Sequence, residues 1–408
     1  MKRTGFKWTA LALAALCAAA SPAAAGKHRK KRLLVTFVEG TTSADRAQAA
    51  RDMGLNVTDD LDELQVAVLE AAGDVAPQEV SRARKHPKVF MVEEDVYRNW
   101  LLEAPAGFAA TPMPSVEAAL QTLGRPARPA PAAPAAAPAD VPWGVARVNA
   151  PAAWATGQGA GVKVAVIDTG IDCTHPDLQC DFGSGVNIVD PSAAPMDDNE
   201  HGTHVAGTIA GRGRGGPAGV APQATLIPVK VLDGDGSGTL SDIVKGINWA
   251  ARARVNVINM SLGGPTGSPA LERAVKSALA AGVVVVCAAG NSGPAPDTVG
   301  FPGGYPGVIA VAASDAKDGV AKFSSRGDAV AFIAPGVDIL STVPGGKTAK
   351  LSGTSMASPH VAGLAALAVE RGARGPSGVR SAFTSAASKL PGLAPTEQGR
   401  GMIDASKL

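Results

Sequence analysis

Four continuous apolar segments dominate the C-terminal two thirds of the chain, and they restrict the fold more than any other feature. Each is short enough for a strand, and helical patterns lie between them. A strand that is apolar on both faces must be covered on both faces, which predicts an α/β fold with a parallel sheet flanked by helices. The predicted strands are 162–167, 226–231, 255–260 and 283–288, and the predicted helices are 241–252 and 270–281.

The chain divides into four segments by composition. Residues 1–25 have a positively charged start, an apolar stretch and small residues at 23–25, which predicts a signal peptide. Residues 26–100 predict a small α+β module, residues 101–139 form an Ala/Pro-rich linker, and residues 140–408 hold the large domain. The module's predicted elements are strands at 33–38, 64–69 and 89–92, a hairpin partner at 56–58, and helices at 43–53 and 77–85, the first capped by Ser43.

Charge and hydropathy exclude several classes of protein. The formal net charge is only +2, which argues against a nucleic-acid partner. After residue 25 no apolar segment is long enough to span a membrane. We therefore expect an exported protein, periplasmic or extracellular, with no membrane partner.

Export allows disulfide bonds, so the cysteines become informative. Cys17 belongs to the predicted signal peptide, which leaves three. Cys173 and Cys180 are close enough in sequence to close a small loop, and we predict that they are bridged; two free thiols are the alternative. Cys287 lies in an apolar run and is predicted to be a buried, inert thiol.

Three residues of different chemical types lie next to predicted element ends. Asp168 follows a buried strand, His201 begins a helix after a polar segment, and Ser355 precedes a helix that is apolar nearly all round. A serine hydroxyl needs an imidazole to take its proton, and the imidazole needs a carboxylate on its other nitrogen. A helix that starts at the serine directs backbone N–H groups toward a developing oxyanion.

Each of these residues alone has a simpler interpretation. An aspartate after a strand can cap a loop, and a serine near a helix start is usually a cap. His201 and His204, three residues apart, could be metal ligands. The combination, with its neighbouring residues, carries the functional prediction.

From residue 140 to 408 the chain resembles a subtilisin-type (subtilase) peptidase. The resemblance rests on three blocks: VIDTG at 166–170, HGTHVAG at 201–207 and GTSMASPH at 353–360. The order Asp, His, Ser along the chain is the known subtilisin order. The resemblance implies that Asp168, His201 and Ser355 are the catalytic triad, and that His204 packs inside the domain.

A fourth block and two glycine-rich segments extend the resemblance. Asn291, in AAGNSG at 288–293, matches the family residue that donates to the oxyanion. The segments 236–238 and 261–264 match the strands that hold an extended peptide between them. No acidic residue lies in the implied S1 walls, so an apolar or aromatic P1 residue is expected. The implied substrate-binding residues are Gly236, Ser237, Gly238, Ser261, Leu262, Gly263, Gly264, Ala288, Gly290 and Gly300.

The module at 26–100 resembles the family's inhibitory propeptide, which the mature enzyme removes. The linker departs from the family pattern, so the cut could follow Trp100 or come just before Asp140. Asp177 matches a family calcium ligand, but the facing loop at 211–216 is basic, so structural calcium stays open and Asp177 could instead pair with an arginine. No cofactor is expected for catalysis, and the family habit indicates a monomer.

Two other functions remain as alternatives. A subtilase fold without activity could serve as a binding module, although a complete triad together with Asn291 argues against it. A dinucleotide-binding enzyme would need more glycines after the first strand than 168–172 provides. The sequence therefore predicts a secreted serine endopeptidase that acts on proteins and peptides and is inhibited by its own propeptide.

Overall fold

A computed structural model describes residues 31–101 and 141–408. The predicted signal peptide and nearly all of the predicted linker lie outside the described residues. In the described part of the chain no helix is long and apolar enough to cross a membrane.

The N-terminal module, residues 31–101, is a four-stranded antiparallel sheet with two helices. Its sheet order is β2-β3-β1-β4, so the predicted hairpin partner does pair with the second predicted strand. The first helix is capped by Thr42 and not by Ser43, because the Thr42 hydroxyl accepts the N–H of Asp45 and Asp45 reaches back to Thr42. Its elements are β1 Arg32–Phe37, α1 Ser43–Met53, β2 Asn56–Leu61, β3 Val66–Glu70, α2 Pro77–Lys85, β4 Val89–Glu94 and β5 Tyr97–Asn99.

The C-terminal domain, residues 141–408, contains the expected parallel sheet. The order is β13-β12-β11-β10-β6-β8-β7, with every neighbouring pair parallel, and the central strands are buried. Its strands are β6 Lys163–Asp168, β7 Val186–Asn187, β8 Thr225–Lys230, β9 Ser237–Thr239, β10 Val257–Met260, β11 Val284–Ala288, β12 Ile309–Ser314, β13 Val330–Pro335, β14 Ile339–Val343, β15 Lys347–Leu351, β16 Ala387–Ser388 and β17 Met402–Ile403.

Helices cover both faces of this sheet, as continuous apolar strands require. The longest helix is almost entirely buried, including its first residues. Its position between the sheet and a second buried helix accounts for a sequence that is apolar nearly all round. The helices are α3 Trp143–Arg147, α4 Ala150–Ala153, α5 His201–Ala210, α6 Leu240–Arg252, α7 Pro269–Ala280, α8 Thr354–Glu370, α9 Gly375–Ala386 and α10 Pro395–Gln398.

The N-terminal module lies on α6 and α7. Leu34, Val66 and Val68 from its sheet belong to the same apolar cluster as buried residues of these two helices. Two carboxylates of the module accept N–H groups at the starts of the helices: Asp95 from Ser241, at 2.8 Å, and Glu93 from Ala270, at 3.2 Å. An apolar face and two helix caps therefore hold the module in place.

The cysteines are arranged as predicted. Cys173 and Cys180 form a disulfide that closes the loop after β6, and Cys287 is a buried free thiol in β11. Burial raises the pKa of the Cys287 thiol far above its ordinary value of 9.0. It is therefore an inert thiol, because a reactive cysteine needs a lowered pKa.

Candidate active site

The structure joins Asp168 and His201 directly. Asp168 ends β6 and is fully buried, and its Oδ1 lies 2.8 Å from Nδ1 of His201, the first residue of α5. Burial lowers the pKa of His201, but the charge and the hydrogen bond of Asp168 outweigh it and raise the pKa above 6.5. The carboxylate therefore fixes the ring through Nδ1 and leaves Nε2 as the nitrogen that can act on a substrate.

Ser355 lies at the start of the long buried helix α8 and is 1% exposed. Its Oγ donates a hydrogen bond to the carbonyl oxygen of Ser261, at 3.1 Å. The Nε2 atom of His201 is buried and has no hydrogen-bond partner among the described residues. Rotation of the Ser355 side chain away from Ser261 is therefore needed before the hydroxyl can pass its proton to His201.

Asn291 is oriented by the residue before Ser355. Its Oδ1 accepts the backbone N–H of Thr354, at 3.0 Å, and the Thr354 hydroxyl, at 2.9 Å. The oxygen end of the amide is thereby fixed, and Nδ2 is the end that can donate to an oxyanion. This orientation places one amide donor beside the N-terminus of α8, where backbone N–H groups also point.

The residues of the implied S1 pocket meet around one loop. Gly264 exchanges two backbone hydrogen bonds with Phe301, at 2.9 and 2.8 Å, and the N–H of Gly300 donates to Ala289, at 2.9 Å. Gly290 has a φ of +116°, and a Cβ atom there would lie 2.8 Å from the Ser325 hydroxyl. The segments 262–264 and 288–290, which the resemblance implies are the S1 walls, therefore both contact the loop of Gly300 and Phe301.

Five other predicted binding residues contact the tail of the N-terminal module, residues 97–101; they are Gly236, Ser237, Gly238, Leu262 and Gly263. This tail runs antiparallel to β9, with Asn99 opposite Ser237 and Arg98 opposite Gly238. The N–H of Trp100 donates to Gly236, at 3.0 Å, and the carbonyl of Trp100 accepts the N–H of Gly263, also at 3.0 Å. Leu101 forms a bridge with Leu262.

The tail is anchored mainly by Trp100. Its side chain is 1% exposed, and the indole Nε1 donates to the carbonyl oxygen of Gly238, at 2.9 Å. The guanidinium of Arg98 lies 3.8 Å above the ring, and Tyr97 bonds to Asp233. An extended peptide thus fits between segments 236–238 and 262–264 with its main chain hydrogen-bonded on both sides.

Two other buried histidines, His204 and His360, have structural roles. His204 is fully buried, with Nε2 2.9 Å from the Ile339 carbonyl, and burial lowers its pKa to about 3. His360 in α8 has Nδ1 2.8 Å from the Met356 carbonyl, and burial lowers its pKa to about 4. The sequence prediction that His204 packs inside the domain is therefore confirmed.

The residues around Asp177 do not fit a calcium site. Its Oδ1 accepts the backbone N–H of Arg214, at 2.6 Å, and its carbonyl accepts the N–H of Arg212. A Cβ at Gly216 would lie 1.9 Å from Oδ2, so the loop packs tightly against the carboxylate. Among the described residues no three acidic, histidine or cysteine side chains gather as metal ligands. The arginine contact uses main-chain N–H groups and not, as considered above, a guanidinium.

The sequence analysis missed two residues that orient the site. Thr354 holds Asn291, and Asp197 holds both Thr169 and Thr203, on the two sides of the Asp168–His201 contact. Only their places in the sequence could have indicated these roles. Thr354 directly precedes Ser355, and Asp197 comes four residues before the start of a helix, where a carboxylate can cap the helix.

Comparisons with known proteins agree with this geometry. Residues 159–401 match the model of the subtilase family, and residues 17–95 match that of the fervidolysin N-terminal prodomain. The chain is 50% identical over 236 residues to subtilisin E of Bacillus subtilis (strain 168), an alignment that covers 57% of this chain and 61% of that protein. A subtilisin of Bacillus pumilus is also 50% identical over 236 residues, covering 57% of this chain and 85% of its own length.

A third similar protein has a different description. The intracellular serine protease of Paenibacillus polymyxa is 49% identical over 236 residues, covering 56% of this chain and 72% of that protein. Similarity to these proteins covers the C-terminal domain, and the prodomain model covers most of the N-terminal module.

The buried histidines predict a loss of stability in acid. Both stay neutral in the folded protein down to about pH 4 (His360) and 3 (His204), whereas an unfolded histidine binds a proton near pH 6.5. The unfolded state therefore binds more protons, and the free energy of unfolding falls as the pH drops below 6.5. We expect His360→Gln to remove about 3 kcal/mol of this pH-dependent loss, from the size of its pKa shift.

The measurement is chemical denaturation between pH 7 and pH 4 in the Ser355→Ala background, which prevents self-digestion. An equal slope in His360→Gln and its parent would contradict the assignment.

Proposed function

This chain belongs to the subtilase family, and on that premise we propose that it is a serine endopeptidase with Ser355 as its nucleophile. The observation that carries the proposal is the 2.8 Å contact between Asp168 and His201, together with a serine at the start of a buried helix that packs against the helix of His201. A carboxylate buried on an imidazole, with the second imidazole nitrogen left for a hydroxyl, has the composition of an acyl-transfer site.

The proposed reaction follows from these positions. Nε2 of His201 takes the proton of the Ser355 hydroxyl as the oxygen attacks a peptide carbonyl, and it later gives that proton to the leaving amine. Asp168 stabilises the imidazolium formed in between. The Asn291 amide and the N–H of Ser355 bind the negative oxygen of the tetrahedral intermediate. Water then takes the place of the amine. His201 takes a proton from the water as its oxygen attacks the acyl carbon, and the proton is then given to the Ser355 oxygen as the acyl group leaves.

Substrate binding also makes the nucleophile available. The Ser261 carbonyl accepts the Ser355 hydroxyl in this structure and lies beside the position where an extended peptide pairs with Leu262. A substrate N–H that bonds to Ser261 would displace the hydroxyl toward His201. Binding of a strand and activation of the serine are thereby coupled.

The proposed specificity is broad, with an apolar or aromatic P1 residue. The segments 262–264 and 288–290, which contact the loop of Gly300 and Phe301, offer main-chain and apolar surface and no carboxylate. A cationic side chain would lose its hydration there without gaining a partner. Main-chain hydrogen bonds contribute most of the binding and do not depend on the side chains of the substrate, which explains the broad specificity.

The N-terminal module is proposed to inhibit the enzyme until it is cut away. Its tail occupies the positions of a substrate strand, from Arg98 opposite Gly238 to Leu101 opposite Leu262. The cut between Trp100 and Leu101 considered above is disfavoured, because the Trp100 indole donates to Gly238 and so lies away from the Gly300 pocket. We place the first cut after Leu101, within a few residues.

Export remains part of the proposal. It is supported by the composition of residues 1–25 and by the disulfide between Cys173 and Cys180, which is typical of oxidising compartments. One similar protein is described as intracellular, so family membership does not decide the compartment. Recovery of the protein only from the cytoplasm of its source cell would contradict export.

A serine-directed fluorophosphonate tests the proposed activity. We expect the wild-type protein to be labelled and to cleave peptides with Phe or Leu at P1 at least about tenfold faster than peptides with Arg, since burying an unpaired charge is unfavourable. Ser355→Ala should lose both labelling and cleavage. The control is Ser184→Ala, an exposed serine in the same domain. Full labelling without any peptidase activity would favour another acyl substrate, and no labelling would favour the inactive binding module.

Early products of the precursor test the position of the first cut. We expect the first shortened form to begin at Leu102 or within a few residues of it, because the tail pairs with the domain up to Leu101. Intact masses and N-terminal sequences over time give the answer. Trp100→Ala should slow this cut, since it removes the tail's buried anchor, whereas Met91→Ala, an exposed side chain of β4, serves as the control. A first product beginning at residue 140 or 141 would contradict the assignment.

The proposal also holds that no calcium ion is needed at Asp177, whose carboxylate binds the facing loop through the N–H of Arg214. With excess EDTA we expect the melting temperature of the Ser355→Ala protein to change by less than about 2 °C, because a ligand that is not bound cannot stabilise the fold. Asp177→Asn should lower it, and calcium should not restore it. A large fall with EDTA, reversed by calcium, would overturn this part.

A further inference from the structure

We propose that Asp197 is a positioning residue that sets the geometry and charge of the Asp168–His201 pair. This inference rests on the proposed peptidase function and adds a residue to its machinery. Asp197 does not touch His201; it acts through the residues that follow Asp168 and His201 in the chain.

The Asp197 carboxylate is buried, at 6% exposure, and accepts four hydrogen bonds. Its Oδ1 accepts the hydroxyl of Thr169, at 2.8 Å, and the N–H of Asn199, at 3.0 Å. Its Oδ2 accepts the N–H and the hydroxyl of Thr203, at 2.9 and 2.6 Å. Each oxygen of the carboxylate therefore accepts two hydrogen bonds from groups of the protein.

Thr169 links this carboxylate to both halves of the pair. It directly follows Asp168, and while its hydroxyl donates to Asp197 it accepts the N–H of Gly202, at 3.0 Å. Gly202 directly follows His201. The Thr169 hydroxyl, whose direction Asp197 determines, is thus a second link between the end of β6 and the start of α5, beside the Asp168–His201 contact.

Asp197 also supplies the N-terminal cap of α5. The residue in the cap position, Glu200, makes no side-chain cap hydrogen bond, and the N–H of Thr203 is bonded by Asp197 instead. A carboxylate at a helix N-terminus satisfies a free N–H group and complements the positive end of the helix dipole. The first residue of that helix is His201, so the cap fixes the place from which the imidazole projects.

The charge of Asp197 has a separate effect on His201. Asp168, Asp197 and Glu200 all favour the imidazolium form, and His204 on the next turn is kept neutral. Lys230 lies on the other side of Thr169, where its Nζ donates to the Thr169 carbonyl and pairs with Asp198, each at 2.6 Å. Burial raises the pKa of Asp197 above 3.8, although its four hydrogen bonds act to lower it.

An amide in place of this carboxylate separates positioning from simple stability. Asp197→Asn keeps the shape but loses the charge, and its Nδ2 cannot accept the N–H or hydroxyl groups that face it. We expect kcat per active site, counted by fluorophosphonate titration, to fall by about tenfold or more with KM little changed. The acid limb of kcat/KM should move to lower pH, because the imidazolium loses a negative neighbour.

The matched control is Asp404→Asn in the C-terminal segment. That carboxylate also accepts several hydrogen bonds, from Asn149 and from the N–H and hydroxyl of Ser406, but it contacts no residue of the triad. We expect Asp404→Asn to lower the melting temperature while kcat and the acid limb stay at their wild-type values. Lower stability alone therefore does not reproduce the effect expected for Asp197→Asn.

A second variant decides the case if Asp197→Asn does not fold. Thr169→Val removes the bridging hydroxyl and keeps the Asp197 charge, so kcat should fall while the acid limb stays in place. The proposal would be overturned if the variant that folds keeps a kcat per labelled site within about twofold of the wild-type value. It would also be overturned if the acid limb of kcat/KM does not move in Asp197→Asn. If the wild type is neither labelled nor active, the proposed function itself fails, which is a different result.

Discussion

The hydrogen bond between Asp168 and His201 is the interaction on which the rest of the site depends. It joins the end of a central strand to the start of a buried helix, so its 2.8 Å length reports how these elements pack. A buried carboxylate without a partner would be costly, and a buried imidazole without one would have no defined orientation. Pairing them gives both groups a partner and leaves Nε2 of His201 without a hydrogen-bond partner among the described residues.

The N-terminal module uses the same site in the way a substrate would. Its apolar face and two helix-capping carboxylates lie on α6 and α7, while its tail continues into the cleft as a strand. The tail binds well because its main chain is hydrogen-bonded on both sides. The same hydrogen bonds would hold an extended peptide substrate. In the proposed function, inhibition and substrate recognition are thus two consequences of one strand-binding groove.

The sequence predicted the parallel sheet from its continuous apolar segments, and it predicted the contact between Asp168 and His201 from the family resemblance of the blocks that contain them. It did not predict the β14–β15 hairpin that leads into α8, since that hairpin is too short and mixed in polarity to stand out. The cap at Thr42 was assigned to Ser43, one residue away, because adjacent hydroxyl residues differ only in backbone geometry. Asp197 was not predicted, because its partners lie in separate segments of the sequence that come together only in the folded chain. The catalytic roles themselves stay predictions.

Kinetics of Asp168→Asn test the central claim most directly. The account predicts that the variant folds, keeps its KM and loses kcat by roughly four orders of magnitude, the size of loss that a wrong imidazole tautomer causes in Ser–His–Asp peptidases. Activity should be measured on the purified protein with its N-terminal module removed in trans by another protease, so that failure to process itself is not counted. A kcat close to that of the wild type would contradict the account, because the 2.8 Å contact between Asp168 and His201 would then have no part in the reaction.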